Sequence, residues 1–491
     1  MKYHIAVDLG AASGRVILGR FGEDGLDLEV MHRFPNTIQE SGGHQRWNTV
    51  RLFEEIKTGL GAIAASVDPA AVAGIGVDSW GVDYGLLDSL GRLIEEPVCY
   101  RDHRTDGVMD EVFRIVEREK IYDLTGIQLM PFNTIFQLHA QKIAGEWPEE
   151  AAAFVMMPDL MHHYLCGSRV GEFTNATTTQ LMSARTRQWA PALFDTLGLD
   201  LGVMPDLVQA GAVIGTLTED LQREVGLPGV NIVAPATHDT GSAVVGTPLE
   251  EDWLYLSSGT WSLLGIETEE AVISEKTSRY NFTNEGGAYG TNRFLKNMTG
   301  LWILERCREE WKKQGVLLDY DTLMREMEAA QPFAGLIFPD DPRFLNPENM
   351  VDEVCAALEE HGMKAVRDQV RLSRIILESM AFRYDSVVEM IRDCTGKTIR
   401  GIRIVGGGSR NDVLNQATAN ATGLPVAAGP MEATAIGNLT VQAITAGRFS
   451  HLQEARDYLR RTGSVRTFEP EDTTSWKAVK ETYGARTKSA E

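Results

Sequence analysis

Cysteine is scarce in this 491-residue chain: Cys99, Cys166, Cys307, Cys355 and Cys394 lie far apart, form no C-x-x-C pair and leave an odd one over. That excludes a disulfide-built scaffold and a paired-cysteine zinc site, and it predicts reduced thiols in a cytoplasm. Long apolar runs are missing too. None approaches the roughly eighteen residues of a membrane span, and in "MKYHIAVDLG" Asp8 interrupts the apolar stretch before a signal-peptide core could form. A cytoplasmic location is the expectation. Positive charge is in deficit, with 47 Lys+Arg against 69 Asp+Glu and a formal net charge of -22. Such a surface repels a phosphate backbone or an anionic bilayer, so neither nucleic acid nor membrane is an expected partner. A small anionic substrate would need a local site of backbone N–H groups, basic side chains or a metal.

What the chain does have is length and an apolar content of 43%, enough for two or more cores. Strand-like runs ("IAVDLG", "RVILGRF", "GIGVDSWGVDYGLL", "LFDTLGLDLG", "NIVAPA", "LYLSSGTWSLLGIE", "IRIVGGG") alternate with amphipathic helical stretches, the signature of α/β layers. The segment Gly246 to Trp253, "GTPLEEDW", reads as a linker. The expected domains are 1–247, 248–455 and a helical tail, 456–491. The halves echo each other. "AVDLGAASGRVILG" and "LYLSSGTWSLLGI" each read as strand, small-residue turn and strand, which suggests a duplicated domain facing itself across a ligand cleft.

Several motifs are decoys. "TGKT" at 395–398 imitates the end of a P-loop, but it lacks the leading glycine at Ile391 and precedes a strand. "GIGVDSWG" at 74–81 begins like a dinucleotide fingerprint but has Ser79 at the third glycine position and continues as strand. His162 and His163 are adjacent, and adjacent residues on a helix do not face one another. There is no H-E-x-x-H and no G-x-S-x-G.

The better candidates are turns. In "DLGAASGR" the small residues Gly10 to Gly14 let a ligand reach backbone N–H groups, and Asp8 could hold Mg²⁺ through water. The plain alternative is a tight turn with a capping acid. "SSGTWS" repeats the design around Thr260, and Gly406, Gly407 and Gly408 form a third site between a strand and a helix through Leu414 and Asn415. Those glycines could contact a planar ring or simply make the turn. In "NIVAPATHDTGSAVVG" the commoner reading of Asp239, taken alone, is a helix N-cap.

Taken together, "VDLGAASGR", "LSSGTWSLLG" and "IVGGGSRN" resemble, in order and spacing, the two phosphate segments and the adenosine segment of actin-like ATPases, in the form found in FGGY carbohydrate kinases. The likeness runs from about Tyr3 to Arg448. The blocks "DSWGVDYGLLD", "YRDHRT", "GIQLMPFNTIFQL", "TNATTTQL", "THDTGSAV", "TNEGGAYG" and "KNMTGLW" are similar to the branch of that family that acts on L-rhamnulose. The resemblance implies an α/β protein of two actin-like (ribonuclease H-like) domains with an ATP and sugar cleft between them. It also implies MgATP-dependent phosphorylation of L-rhamnulose on its 1-hydroxyl, in L-rhamnose breakdown. It makes Asp239 the catalytic base and places the sugar against Gly81, His238, Asp239, Thr240 and Asn297. ATP would lie against Ala11, Ala12, Ser13, Gly14, Arg15, Thr260, Glu305 and Gly407, with Asp8 nearest Mg²⁺. Glu305 departs from the family pattern, which has glutamine, and an acid there must face the adenosine or the metal rather than the phosphates. Kinases of fuculose, xylulose or ribulose are the nearest rivals and would differ around Trp80, Asn133, Asn175 and Asn297. A non-catalytic sugar sensor and a dehydrogenase are the more distant ones.

Overall fold

The computed structural model of the chain describes residues 2–487. The chain divides into two compact units, one of residues 1–248, 267–294 and 433–463, the other of residues 249–266, 295–432 and 464–491.

The first unit is built on a six-stranded sheet. Strands β1 (Tyr3–Leu9), β2 (Ser13–Phe21) and β3 (Leu26–Pro35) form an antiparallel meander, and β4 (Val72–Ser79) pairs in parallel with β1. Strands β5 (Val213–Thr216) and β6 (Asn231–Val233) complete the order β5-β6-β4-β1-β2-β3. Strand periodicity sorts the side chains into two faces. Ile5, Val7, Val16, Leu18, Ile75 and Val77 pack with the helix Thr49–Ser66 through Leu52, Ile56, Leu60 and Ile63. On the other face Ala6, Ile17 and Phe21 meet the helix Ala433–Thr445 through Ala435, Ile436 and Leu439. That second helix approaches closely because the strands there carry glycine. A Cβ on Gly19 would lie 2.4 Å from Leu439, and one on Gly76 2.6 Å from Asn438 Oδ1.

The second unit repeats the plan. Strands β7 (Trp253–Ser258) and β8 (Trp261–Thr268) form an antiparallel hairpin, with β9 (Asn292–Thr299) beside β8. On the other side β7 pairs in parallel with β10 (Gly401–Val405), which pairs in parallel with β11 (Val426–Ala428). The short β12 (Arg466–Phe468) closes that edge antiparallel. The 27-residue helix Gln369–Thr395 buries Ile376, Met380, Tyr384 and Val388 and meets this sheet through the Tyr384 hydroxyl, which shares a 2.7 Å hydrogen bond with Ser262. A hairpin followed by parallel strands, made twice, is the actin-like arrangement.

Among the described residues no helix is long and apolar enough to cross a membrane. One strand expectation fails. "LFDTLGLDLG" is the helix Pro191–Leu197 followed by a short 3₁₀ turn, because Pro191 sits in the first turn and Gly198 ends the helix at φ 60°. "TGKT" is the end of the long helix and its left-handed Gly396, and "GIGVDSWG" is β4 with its following turn.

Candidate active site

The carboxyl ends of β1, β4 and β6 lie together, where ligands bind in open α/β sheets. After β6 the chain runs to His238, which caps the helix Asp239–Val245. Asp239 is therefore the first helical residue rather than the N-cap. Its Oδ1 accepts from Thr240 N at 2.6 Å and from Thr240 Oγ1 at 3.2 Å, and the side chain is 32% exposed. The carboxylate is held from one side and open on the other.

The turn that presents it is fastened from beneath by Glu172. This fully buried carboxylate accepts from Thr237 N and Thr237 Oγ1, each at 2.9 Å, and from Thr174 N at 3.0 Å. Thr174 Oγ1 in turn accepts from His238 N at 3.2 Å. Burial raises the Glu172 carboxyl against the opposing pull of these donors. Beside it Ser79 N donates to Thr237 O at 2.9 Å, joining the β4 turn to the same place. Gly81 in that turn is glycine for steric reasons, since a Cβ would meet Thr178 at 2.9 Å.

Two residues on, Asp83 is fully buried and accepts from Trp47 Nε1 at 2.7 Å, Trp80 Nε1 at 2.9 Å, Tyr100 N at 3.2 Å and Gln137 Nε2 at 3.2 Å. Burial outweighs all four donors and pushes its pKa up from 3.8 to about 6. A carboxyl raised in the folded state contributes stability that is complete below its unfolded pKa and lost as pH rises through the folded one. Native stability should therefore lose this contribution between about pH 4 and pH 6. Urea midpoints measured across that window should fall less steeply with rising pH in Asp83→Asn, which keeps an acceptor for the two tryptophans but cannot ionise.

At the β1 end Arg15 Nη2 donates to Asp8 Oδ2, the two residues being opposite one another in the hairpin register. Asp8 is also level with Asp78 on β4. Asp78 is wholly buried, and Asn438 Nδ2 donates to its Oδ2 at 2.6 Å. Its carboxyl is held well above the usual range, first by burial and then by the charge of Asp8, with Asp239 adding to the effect. Negative potential thus collects at this end of the sheet. Ala11 and Ala12 form the turn, closed by Gly10 N donating to Ser13 O at 2.9 Å. Gly14 is covered by Phe34, whose ring would lie 2.3 Å from a Cβ.

In the second unit the hairpin turn is shorter by one residue. Gly259 N donates to Trp261 O at 2.9 Å, and Thr260 is exposed at its tip. The segment after β9 folds under this turn, where Gly300 N donates to Thr260 O at 3.1 Å and Leu301 N to Gly259 O at 2.9 Å. Asn297 is half-buried on β9, and Glu305 is exposed on the helix Trp302–Lys313. Of the three glycines after β10, Gly406 has φ 79° and would place a Cβ 2.9 Å from Ser258 O, while a Cβ on Gly408 would lie 2.0 Å from Ser258 Oγ. Gly407 alone is exposed, with nothing within 4 Å of its would-be Cβ. Two of the three glycines serve packing on β7, and the third leaves open surface. The helix Asp412–Thr422 follows, capped by Asn411.

Motif reading missed Glu172, Asp78, Asp83, Glu285 and Arg293. The last two meet His238, with Arg293 Nη2 2.9 Å from its Nδ1 and 3.0 Å from Glu285 Oε2. His162 and His163 diverge: His162 Nε2 accepts from Val77 N at 3.1 Å inside the core, whereas His163 binds the carbonyls of Ser168 and Gly91.

Comparison with known proteins places the chain among kinases. The model of the N-terminal domain of the FGGY family of carbohydrate kinases matches residues 3–246, and that of its C-terminal domain residues 254–446. A protein of Bacteroides thetaiotaomicron named rhamnulokinase is 44% identical over 476 residues, covering 96% of this chain and 97% of the relative. One of the same name from Oceanobacillus iheyensis is 38% identical, covering 95% and 98%. Among solved structures, a ligand-bound xylulose kinase from Lactobacillus acidophilus superposes with a TM-score of 0.82 at 14% identity over 100% of this chain and 98% of that one. A Plasmodium falciparum glycerol kinase with ADP does so at 0.77 and 16% identity, over 99% and 98%. At such identities these two speak for the fold alone.

Proposed function

The chain belongs to the FGGY family of carbohydrate kinases, and from that premise we propose that it transfers the γ-phosphoryl group of ATP to the 1-hydroxyl of L-rhamnulose. The substrate is supported by the relatives named rhamnulokinase. The chemistry is supported by one observation above the others: the Asp239 carboxylate is one-third exposed and, among the described residues, accepts hydrogen bonds from Thr240 alone, with His238 Nε2 3.5 Å away.

Phosphoryl transfer asks a protein mainly to align the nucleophile and to stabilise charge on the phosphoryl oxygens. As the C1 oxygen bonds to the γ-phosphorus and the bond to the β-phosphate oxygen breaks, the hydroxyl proton passes to Asp239, and ADP leaves with the displaced electron pair. A carboxylate is far too weak a base to ionise a sugar hydroxyl beforehand, so the proton moves as the new bond forms. Glu172 keeps Asp239 in place through Thr237, and Gly81, His238, Thr240 and Asn297 orient the sugar. Ala11, Ala12, Ser13, Gly14 and Arg15, with Thr260 and Gly407, hold the nucleotide, and Glu305 lies on its adenosine side.

The residues present suit Mg²⁺. That ion retains waters and takes one or two carboxylates with phosphate oxygens, and Asp8, at the end of β1, level with Asp78 and paired with Arg15, is the carboxylate that would face it through water. When bound, it would neutralise charge on the phosphate oxygens. We place the reaction in L-rhamnose breakdown in the cytoplasm.

The test is ADP release against a panel of L-rhamnulose, L-fuculose, D-xylulose and L-ribulose. The expected outcome is a kcat/KM at least tenfold higher for L-rhamnulose. Turnover confined to another ketose would overturn the substrate.

A further inference from the structure

His238 carries more structural information than its place beside Asp239. Its Nδ1 lies 2.9 Å from Arg293 Nη2. A guanidinium nitrogen offers only protons, so at that distance Nδ1 must accept, and the ring proton belongs on Nε2. The competing arrangement would put a proton on Nδ1 for Glu285 Oε2, which is 3.3 Å away. That would set two N–H groups against each other across the shorter contact. The 2.9 Å contact decides the tautomer.

Arg293 is itself well fixed. It has no exposed surface, its Nε donates to Gly286 O at 2.9 Å, and Glu285 Oε2 lies 3.0 Å from its Nη2. Glu285 is 5% exposed. A buried ion pair adds little net stability and is better attested as a device for specifying one arrangement. Here it specifies which ring nitrogen of a neighbouring histidine carries the proton. The other ring nitrogen, Nε2, is 3.5 Å from Asp239 Oδ1, beyond a good hydrogen bond. A donor and an acceptor therefore stand side by side on the open end of the turn.

We propose that Glu285 and Arg293 are positioning residues that hold His238 in its Nε2–H tautomer, so that His238 donates to the oxygen on carbon 2 of a ketose while Asp239 accepts the proton of its 1-hydroxyl. The substrate part rests on the function proposed above. A carbonyl or ring oxygen at carbon 2 accepts only, so a bare Nε2 would repel it. The ion pair thus selects sugars with an acceptor next to the reacting hydroxyl.

The experiment uses the full chain labelled with ¹⁵N-histidine, without sugar, and long-range ¹H–¹⁵N correlation, with His238→Gln identifying the signal. The native protein should show a pyridine-like Nδ1 and a protonated Nε2. In Arg293→Met, Glu285 Oε2 at 3.3 Å from Nδ1 becomes the nearer of the two carboxylates, Asp239 Oδ1 being 3.5 Å from Nε2, and the two assignments should exchange, whereas Arg293→Lys, which still donates, should keep the native pattern. Because Arg293→Met leaves a buried carboxylate that can prevent folding, Glu285→Leu/Arg293→Met, which removes both charges and every side-chain donor to Nδ1, supplies the second variant. In each folded variant lacking the donor, KM for L-rhamnulose should rise about tenfold, as for one lost hydrogen bond, with KM for ATP unchanged. A native Nδ1–H, or a pattern unmoved in both variants, would overturn the inference even if the ketose is a good substrate. The predicted tautomer without turnover of any ketose would overturn instead the proposed function, and with it the substrate part.

Discussion

Replacing Asp239 by asparagine should lower kcat for the sugar kinase reaction about 10³-fold, within the range of about 10² to 10⁴ that a positioned base contributes, while KM for ATP stays within about threefold. Asparagine has nearly the same shape and keeps an acceptor for Thr240 N, which now accounts for the 2.6 Å contact. The partly exposed side chain fills no core, so the melting temperature should hardly move. What the variant loses is the capacity to take a proton as the bond to phosphorus forms. Steady-state kinetics paired with calorimetric titration of nucleotide separate the two effects. A fall in kcat with unaltered binding marks an interaction made in the transition state. Equal losses in binding and turnover would assign Asp239 to holding the ligand.

The largest expected effect on stability lies behind that residue, at Gly437. The helices Asp239–Val245 and Ala433–Thr445 touch backbone to backbone: a Cβ on Gly437 would sit 1.7 Å from Ser242 O and 2.9 Å from Gly246 N. Gly246 faces the same crossing, with a would-be Cβ 2.1 Å from Ala433 O. No rotamer change relieves a clash between main chains, so Gly437→Ala must push the helices apart. Overpacking costs about 1–3 kcal/mol where side chains can yield. Here the upper end is the floor, a drop in melting temperature of at least about 3 °C for a chain of 491 residues. Because Asp239 heads one of the two helices, activity should fall as well. Gly61→Ala, in the helix Thr49–Ser66 with open space around its would-be Cβ, is the control. It should leave both properties unchanged or stabilise the protein by up to about 1 kcal/mol.

These two residues mark the boundary of what the sequence discloses. The turns around Ala11, Thr260 and Gly407 were legible because each is a local pattern, apolar strand then small residues then a second element, that requires no knowledge of distant neighbours. Asp239 reads as a cap or as a site residue for the same reason, and the structure removes the first of these, since His238 is the cap and Asp239 the first helical residue. Glu172 was not. Its contacts reach Thr237 from 65 positions away, and an isolated glutamate before "FTNAT" carries no spacing that signals a staple. Asp83 looks like any acid in "GVDYG" until Trp47 and Trp80 close over it. Glu285 and Arg293 lie within "TNEGGAYGTNR", where the motif is visible but the pairing with His238 is not. The glycines divide similarly. Their clustering after β10 pointed to a turn, but only the fold distinguishes Gly406 and Gly408, which pack on Ser258, from Gly407, which does not. Helix Ala433–Thr445 packs into the first unit from far along the chain, and no composition shift announces it. The strand expected at "LFDTLGLDLG" failed because apolar content was weighed above Pro191 and Gly198, the residues that start and stop a helix there.

The most direct measurement is chemical rescue of Asp239→Ala. With the carboxylate removed, the residual rate of ADP formation from L-rhamnulose and ATP should rise when formate or acetate is added, more with the stronger base, and should not respond to chloride at the same ionic strength. A variant that turns over at the native rate without added carboxylate, or one restored equally by chloride, would contradict Asp239 as the group that receives the proton.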